Sequence, residues 1–263
     1  MRMIEGAEEE CMWKNIRIAC LLLILVIVAV NAWRDYHQDW TKPIVVLLHP
    51  INADGSAQTT QYIQQLSNAD FAQAQQYLQR AGRHYFGAPI QFKLQLGRGL
   101  TQAPPTVPEP ASIWSIMLWS LKFRFYAWRQ HQSEDGAASV TLFLSFYDPH
   151  VKEVLKNSTA LQNGRIGSIH LFSSHQQDDQ NTVILVHELL HAFGAKDKYD
   201  LATGQPLYPV GYAHPFQQPR YPQTQAEIMA GHMAITANQS AMPENLTQTL
   251  MGATTAQELG WKK

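Results

Sequence analysis

The chain has 263 residues, 45% of them hydrophobic, which is enough to bury one substantial core or two small ones. Its formal net charge is −1, and Lys and Arg form no basic stripe, so nucleic acid is not an expected partner. Both cysteines, Cys11 and Cys20, lie near the N-terminus, which excludes internal disulfides and thiolate metal sites from the remainder.

The first apolar segment carries no charged residue from position 18 to position 30. Trp13 and Trp33 flank it at a helical spacing of about 30 Å, which matches the hydrocarbon thickness of a bilayer. We therefore predict a single-pass transmembrane anchor at 18–33, after an N-terminal flank at 1–17. More basic residues precede the segment than follow it, which places the main domain on the extracytoplasmic side. The alternative is a signal peptide cleaved near Ala32, with secretion of the domain.

A linker at 34–42 and one domain at 43–263 complete the chain. Continuous or alternating apolar residues predict strands at 43–50, 90–96, 138–149 and 167–174. Amphipathic or apolar periodicity predicts helices within 57–85, 113–132 and 178–193, and the proline-rich stretch 97–112 is a loop. Beyond Asp200 the sequence is irregular. This order predicts an α/β (α+β) fold with a mixed sheet and one main core.

The apolar segment at 113–132 has two interpretations. It contains several Trp, Leu and Phe residues together with Lys122, Arg124 and Arg129. A basic amphipathic helix of this composition is typical of a membrane surface. A helix that packs on the core and turns its basic residues to water is the more ordinary interpretation, and it is the one we favour.

The stretch VILVHELLHAFGAKDKYD, residues 183–200, concentrates the chemistry of the chain. Asp178, Asp179 and Asn181 are expected to cap the start of a buried helix, and Gly194 is expected to end it in the left-handed conformation.

Residues four apart lie on one helix face, so His187 and His191 can share one tetrahedral Zn²⁺. Glu188 projects about 100° away, where it can take a proton from a water held by the metal.

With Gly194 and Asp197 the motif reads H-E-x-x-H-x-x-G-x-x-D, which resembles the metzincin clan of zinc metallopeptidases. The resemblance implies a zincin-like fold, with Asp197 as the third metal ligand and Glu188 as the catalytic base. It also implies a methionine turn beneath the metal, for which Met229 in 226–231 is the candidate. The strand at 167–174 is then expected to be an antiparallel edge strand that binds extended peptide. The region 168–261 is also similar to bacterial membrane-anchored proteins described as zinc protease candidates.

Other residues compete for roles at this site. Asp200 and Glu227 are alternative third ligands. Tyr199, Tyr212 and His214 are candidate donors to a developing oxyanion, although packing or surface roles are more ordinary for them.

The main hypothesis is a membrane-anchored zinc metallopeptidase that acts on a peptide or protein substrate. One alternative is a non-catalytic, membrane-tethered binding protein with a structural metal. Another is a zinc hydrolase that acts on a non-peptide bond.

Overall fold

The computed structural model describes residues 2–110, 112–131, 138–155, 158–162 and 164–262. The chain divides into two compact units, residues 1–38 and residues 39–263. Asp39 and Trp40, which the prediction assigns to the linker at 34–42, belong to the second unit. The Trp40 side chain is buried in that unit's core and donates a hydrogen bond from Nε1 to the Leu259 carbonyl.

The first unit is one helix, α1 (Arg2–Tyr36). Its apolar part, Trp13–Tyr36, is 24 residues long, and none of the residues in the most apolar stretch is buried. At a rise of 1.5 Å per residue such a helix measures about 36 Å, enough to cross a bilayer. The helix thus extends beyond the predicted 18–33 on both sides. An N-terminal signal sequence can also be this long and this apolar, so the helix alone does not distinguish the two predictions.

The second unit is built on a five-stranded mixed sheet in the order β2-β1-β3-β5-β4. The strands β1 (Ile44–Asn52), β2 (Phe92–Leu96), β3 (Val140–Tyr147) and β5 (Ile166–Phe172) are parallel to one another. The short strand β4 (Thr159–Leu161) pairs antiparallel with β5 at the edge. The four predicted strands and the mixed sheet are therefore confirmed.

One strand expectation is wrong. The metzincin resemblance predicts an antiparallel edge strand at 167–174, but β5 lies between β3 and β4 and runs parallel to β3. The edge is β4, whose three residues are too few to produce a readable alternation of apolar and polar side chains. Most residues of β5 are buried, as expected of a strand with a neighbour on each side and a helix packed on its face.

Helices cover both faces of the sheet. On one face lie α2 (Ala57–Gln65), α3 (Ala72–Phe86) and α5 (Asp178–His191), which enclose the larger core. On the other face α4 (Ile113–Gln130) packs Phe123 and Tyr126 against Phe143 of β3. In the sheet, β2 lies on one side of β1 and β3 lies on the other, so the β1–β2 and β2–β3 connections run in opposite directions across the sheet. Because such connections have the same hand, α2 and α3 lie on one face and α4 lies on the other.

The remaining chain, beyond α5, is largely irregular, as predicted. It contains short strands of two residues each, β6 (Ala226–Glu227), β7 (Met233–Ala234), β8 (Ser240–Ala241) and β9 (Thr249–Leu250). It also contains one helix that the sequence did not predict, α6 (Ala253–Glu258).

Candidate metal centre

The C-terminal half of α5 carries the site. The apolar side chains of α5 are buried between the sheet and α3. The face that carries His187 and His191 is not part of this core. The expected capping by Asp178 and Asp179 is wrong, since no side chain caps the helix N-terminus. Asn181 instead bonds both the N–H and the C=O of Phe172, and so ties the helix to the end of β5.

The helix ends in the predicted glycine turn. Gly194 has a φ of +97°, in the region that only glycine adopts without strain. The Ala195 N–H donates to the Leu190 carbonyl and the Gly194 N–H donates to the His191 carbonyl, which is the Schellman arrangement. The chain therefore reverses sharply, and Asp197 returns to the histidine face.

Three candidate ligand atoms converge at this point. The Nε2 atoms of His187 and His191 are 3.1 Å apart. Asp197 Oδ1 lies 3.2 Å from the first and 3.0 Å from the second. Within the described residues, this is the group of histidine, cysteine or carboxylate side chains whose geometry could hold a metal ion.

Hydrogen bonds on the far side of each ring orient the histidines. His187 Nδ1 lies 2.9 Å from the Ile228 carbonyl, and His191 Nδ1 lies 2.7 Å from the Ala195 carbonyl. A carbonyl oxygen only accepts, so each Nδ1 carries the proton and each Nε2 offers a lone pair to the centre. This backing is typical of metal-ligating histidines.

The donor set fits Zn²⁺. Ligands at bond lengths of 2.0–2.1 Å in a tetrahedron lie about 3.3 Å from one another, close to the separations observed here. Two imidazole lone pairs and a carboxylate oxygen at such distances repel one another unless a cation or a proton lies between them. Burial acts to raise the pKa of Asp197, but the two neighbouring histidines outweigh it and hold the pKa below its usual range. Burial acts to lower the pKa of His187, but Asp197 and Glu188 together raise it.

Glu188 lies beside this group and is 8% exposed. Among the described residues, its Oε2 atom is buried and has no hydrogen-bond partner. Burial raises the pKa of this carboxyl group, while the two neighbouring histidines act against the shift. A buried carboxylate oxygen without a partner is costly, and a water molecule held at the centre would supply its missing donor.

A tight turn at 227–231 packs against His187 and the loop that carries Asp197. The Ala230 and Gly231 N–H groups both donate to the Glu227 carbonyl, and Gly231 has a φ of +67°. Met229 is fully buried within this turn, and its carbonyl accepts from the Lys198 N–H, next to Asp197. The turn thus contacts His187 through the Ile228 carbonyl and the ligand loop through the Met229 carbonyl.

The two competing carboxylates have other partners. Asp200 Oδ1 accepts from the Ala202 and Thr203 N–H groups and from the Thr203 hydroxyl, so it stabilises its own exposed loop. Glu227 is fully buried and accepts from Thr255 Oγ1 and from the Gly252 and Met229 N–H groups. Neither side chain joins the group of converging atoms.

Of the candidate oxyanion donors, one lies near the centre and two have partners elsewhere. Tyr199 lies near the centre: burial raises the pKa of its phenol, and the charges of Asp197 and Glu188 add to the effect. The Tyr212 hydroxyl bonds Tyr221, and His214 bonds Gln225, so both belong to the loop that follows.

Long-range supports of the site were not predicted. The ammonium group of Lys198 is buried and donates to Glu258 Oε2 at 2.7 Å and to the Lys196 carbonyl at 2.9 Å. The Lys196 N–H donates to the same carboxylate oxygen. Glu258 therefore fixes the residues on both sides of Asp197. A glutamate sixty positions away carries no local sequence signal that could reveal this role.

Comparisons with known proteins add little to these observations. No protein-family model and no curated protein matches the chain. Among solved structures, a chain described as "Structure of a chaperone-substrate complex" has 12% identity and a TM-score of 0.37. The match covers 83% of this chain and 34% of that one, so this chain spans about a third of its length. At that TM-score no inference about fold or function follows.

Proposed function

We propose that the protein is a membrane-anchored zinc metallopeptidase. The observation that carries the proposal is the convergence of His187, His191 and Asp197 beside the buried Glu188, whose Oε2 has no hydrogen-bond partner among the described residues. The H-E-x-x-H-x-x-G-x-x-D motif, with its metzincin resemblance, supports the same conclusion.

Each residue then has a defined task. The two histidines and Asp197 would hold Zn²⁺, which, when bound, polarises a scissile carbonyl and lowers the pKa of a water molecule. Glu188 would accept the proton of the attacking water at Oε2 and later donate it to the leaving amine. Burial assists Glu188 because it raises the pKa of the carboxyl group towards the range where it can both take and release a proton.

The position of β4 supports a peptide as the substrate. A side chain added at Gly194, in the turn after α5, would meet the side-chain amide of Gln162, directly after β4. The edge strand thus ends beside the turn that carries the chain from His191 to Asp197. An extended peptide that pairs with β4 through its backbone would run past this turn.

The test is a peptide-library digest analysed by mass spectrometry. We expect cleavage by the wild-type protein, loss of cleavage with a zinc chelator, and recovery when zinc is added back. Glu188→Gln should retain stoichiometric zinc but lose cleavage by a factor of about 10² to 10⁴, because the proton acceptor is removed. Full activity of Glu188→Gln would overturn the proposed mechanism. Zinc binding without cleavage of any peptide would favour a structural metal or a non-peptide substrate.

A further inference from the structure

Helix α4 has a second apolar face that the core does not use. Trp119, Phe123 and Tyr126 are buried against the sheet. Trp114 and Trp128, by contrast, are 78% and 71% exposed. The exposed large apolar residues of this helix, which we call the α4 stripe, are Ile113, Trp114, Met117, Leu118, Leu121, Phe125 and Trp128. The core-packing interpretation of the sequence therefore accounts for only one of the two faces.

The α4 stripe is continuous. At 100° per residue its members fall within an arc of about 140°, opposite the buried face, over a helix about 27 Å long. Lys122 and Arg129 lie at one margin of this arc, whereas the guanidinium group of Arg124 lies against Gly164 of the same domain. The helix contains no acidic residue. The positive charge of α4 is thus complementary to an anionic surface placed against the α4 stripe.

This pattern matches the chemistry of a lipid interface better than that of a protein partner. Trp is enriched at the headgroup level of bilayers, and long basic side chains at the edges of an apolar face extend to lipid phosphates. A contiguous apolar surface of this size is unusual on a domain surrounded only by water.

The short connection to α1 indicates that the surface which contacts the α4 stripe is the bilayer. If α1 crosses the membrane, two residues separate its end at Tyr36 from the second unit, which begins at Asp39. Fully extended, such a connection spans about 10 Å, so the tether keeps the second unit near the membrane surface. Tethering at this range raises the effective concentration of the surface that the α4 stripe would contact.

We propose that the α4 stripe inserts into the headgroup region of the bilayer that holds α1, with Lys122 and Arg129 on anionic lipid phosphates. Since α4 and α5 cover opposite faces of the sheet, the docked domain turns its candidate metal centre away from the bilayer. Accessible substrates are then segments outside the membrane. The proposal rests on the anchor part of the proposed function, and it is independent of peptidase activity.

The test uses the full-length chain with Cys11 and Cys20 replaced by serine and an environment-sensitive fluorophore on Leu121→Cys. The protein is reconstituted in phosphatidylcholine vesicles with or without phosphatidylglycerol, and spin-labelled lipids serve as the quencher. Asn238→Cys, on an exposed loop, is the matched control, and Phe125→Cys repeats the measurement within the stripe.

We expect quenching at position 121 at least about two-fold stronger than at position 238, with a further increase in anionic vesicles. Replacing Lys122 and Arg129 by glutamine should remove that increase. Equal quenching at both positions would overturn the proposal. So would a fluorescence change that depends on the number of chains per vesicle without lipid quenching, which would indicate a second copy as the occupant. Release of the chain by alkaline carbonate would refute the anchor on which the proposal rests.

Discussion

At the scale of single residues, the arrangement of protons around the two histidines decides what the site can do. Both Nδ1 atoms face backbone carbonyls, so both Nε2 lone pairs and Asp197 Oδ1 point into the same small volume. The backbone thereby selects one tautomer for each ring before any ligand arrives. Side chains that are held in this way lose little freedom when they bind a metal.

Asp197 is the third ligand in this account, and Asp200 is its natural control. Asp197→Ala removes a ligand atom, so we expect zinc affinity to fall by more than about 100-fold. Asp200→Ala removes hydrogen bonds only within the 200–205 loop, and its zinc affinity should stay close to that of the wild type. Competition with a chromophoric chelator measures both. If Asp200→Ala lost zinc and Asp197→Ala kept it, the ligand assignment would be wrong.

At the scale of elements, the site depends on how α5 ends. The Schellman turn at Gly194 directs the Ala195 carbonyl to His191 and returns Asp197 to the helix face within three residues. The turn at 227–231 approaches the same helix from a segment some thirty residues later. A rigid helix with two turns packed against its C-terminal half positions all three candidate ligands.

The glycine at position 194 can be tested separately from the ligands. Gly194→Ala forces a side chain into a left-handed backbone and against Gln162, so the free energy of unfolding should fall by about 1–2 kcal/mol. Zinc affinity should fall as well, because the Ala195 carbonyl and Asp197 follow directly.

Gly87 is the matched control. It ends α3 at a φ of +82°, with open space around it. Gly87→Ala should lose similar stability in denaturant titration and keep its zinc affinity. Equal zinc affinity in the two variants would show that the Gly194 turn does not position the site.

Local features of the site could be predicted from sequence, and non-local ones could not. The spacing of His187 and His191 and the glycine turn follow from helix geometry, which a few adjacent residues determine. The Ile228 carbonyl and the Glu258 carboxylate lie far along the chain, and no periodicity links them to the motif. The edge strand was misassigned because β4 has three residues and β5 is buried by neighbours that only the folded sheet reveals.

At the scale of the whole molecule, a helix that is able to cross a membrane precedes a domain with its own core. The anchor prediction gives two observable results in the producing cell. The intact chain should stay with membranes after alkaline carbonate extraction, because a helix that crosses the bilayer is not displaced by high pH. An impermeant amine reagent should modify lysines of the domain and leave the N-terminal amine unmodified until the cells are permeabilised.

Two outcomes would contradict this account of the anchor. A soluble chain that begins at Trp33 would show that a signal peptide is cleaved after Ala32. Labelling of the N-terminal amine in intact cells, with the domain protected, would reverse the orientation.

The central claim is that His187, His191 and Asp197 hold a catalytic zinc ion with an open position. Anomalous diffraction at the zinc edge, from crystals of the zinc-loaded protein, tests it most directly. We expect a single strong peak about 2.0–2.2 Å from His187 Nε2, His191 Nε2 and Asp197 Oδ1, with a fourth position that no protein atom fills. The absence of a peak at these atoms, or a fourth protein ligand that closes the coordination, would contradict the account.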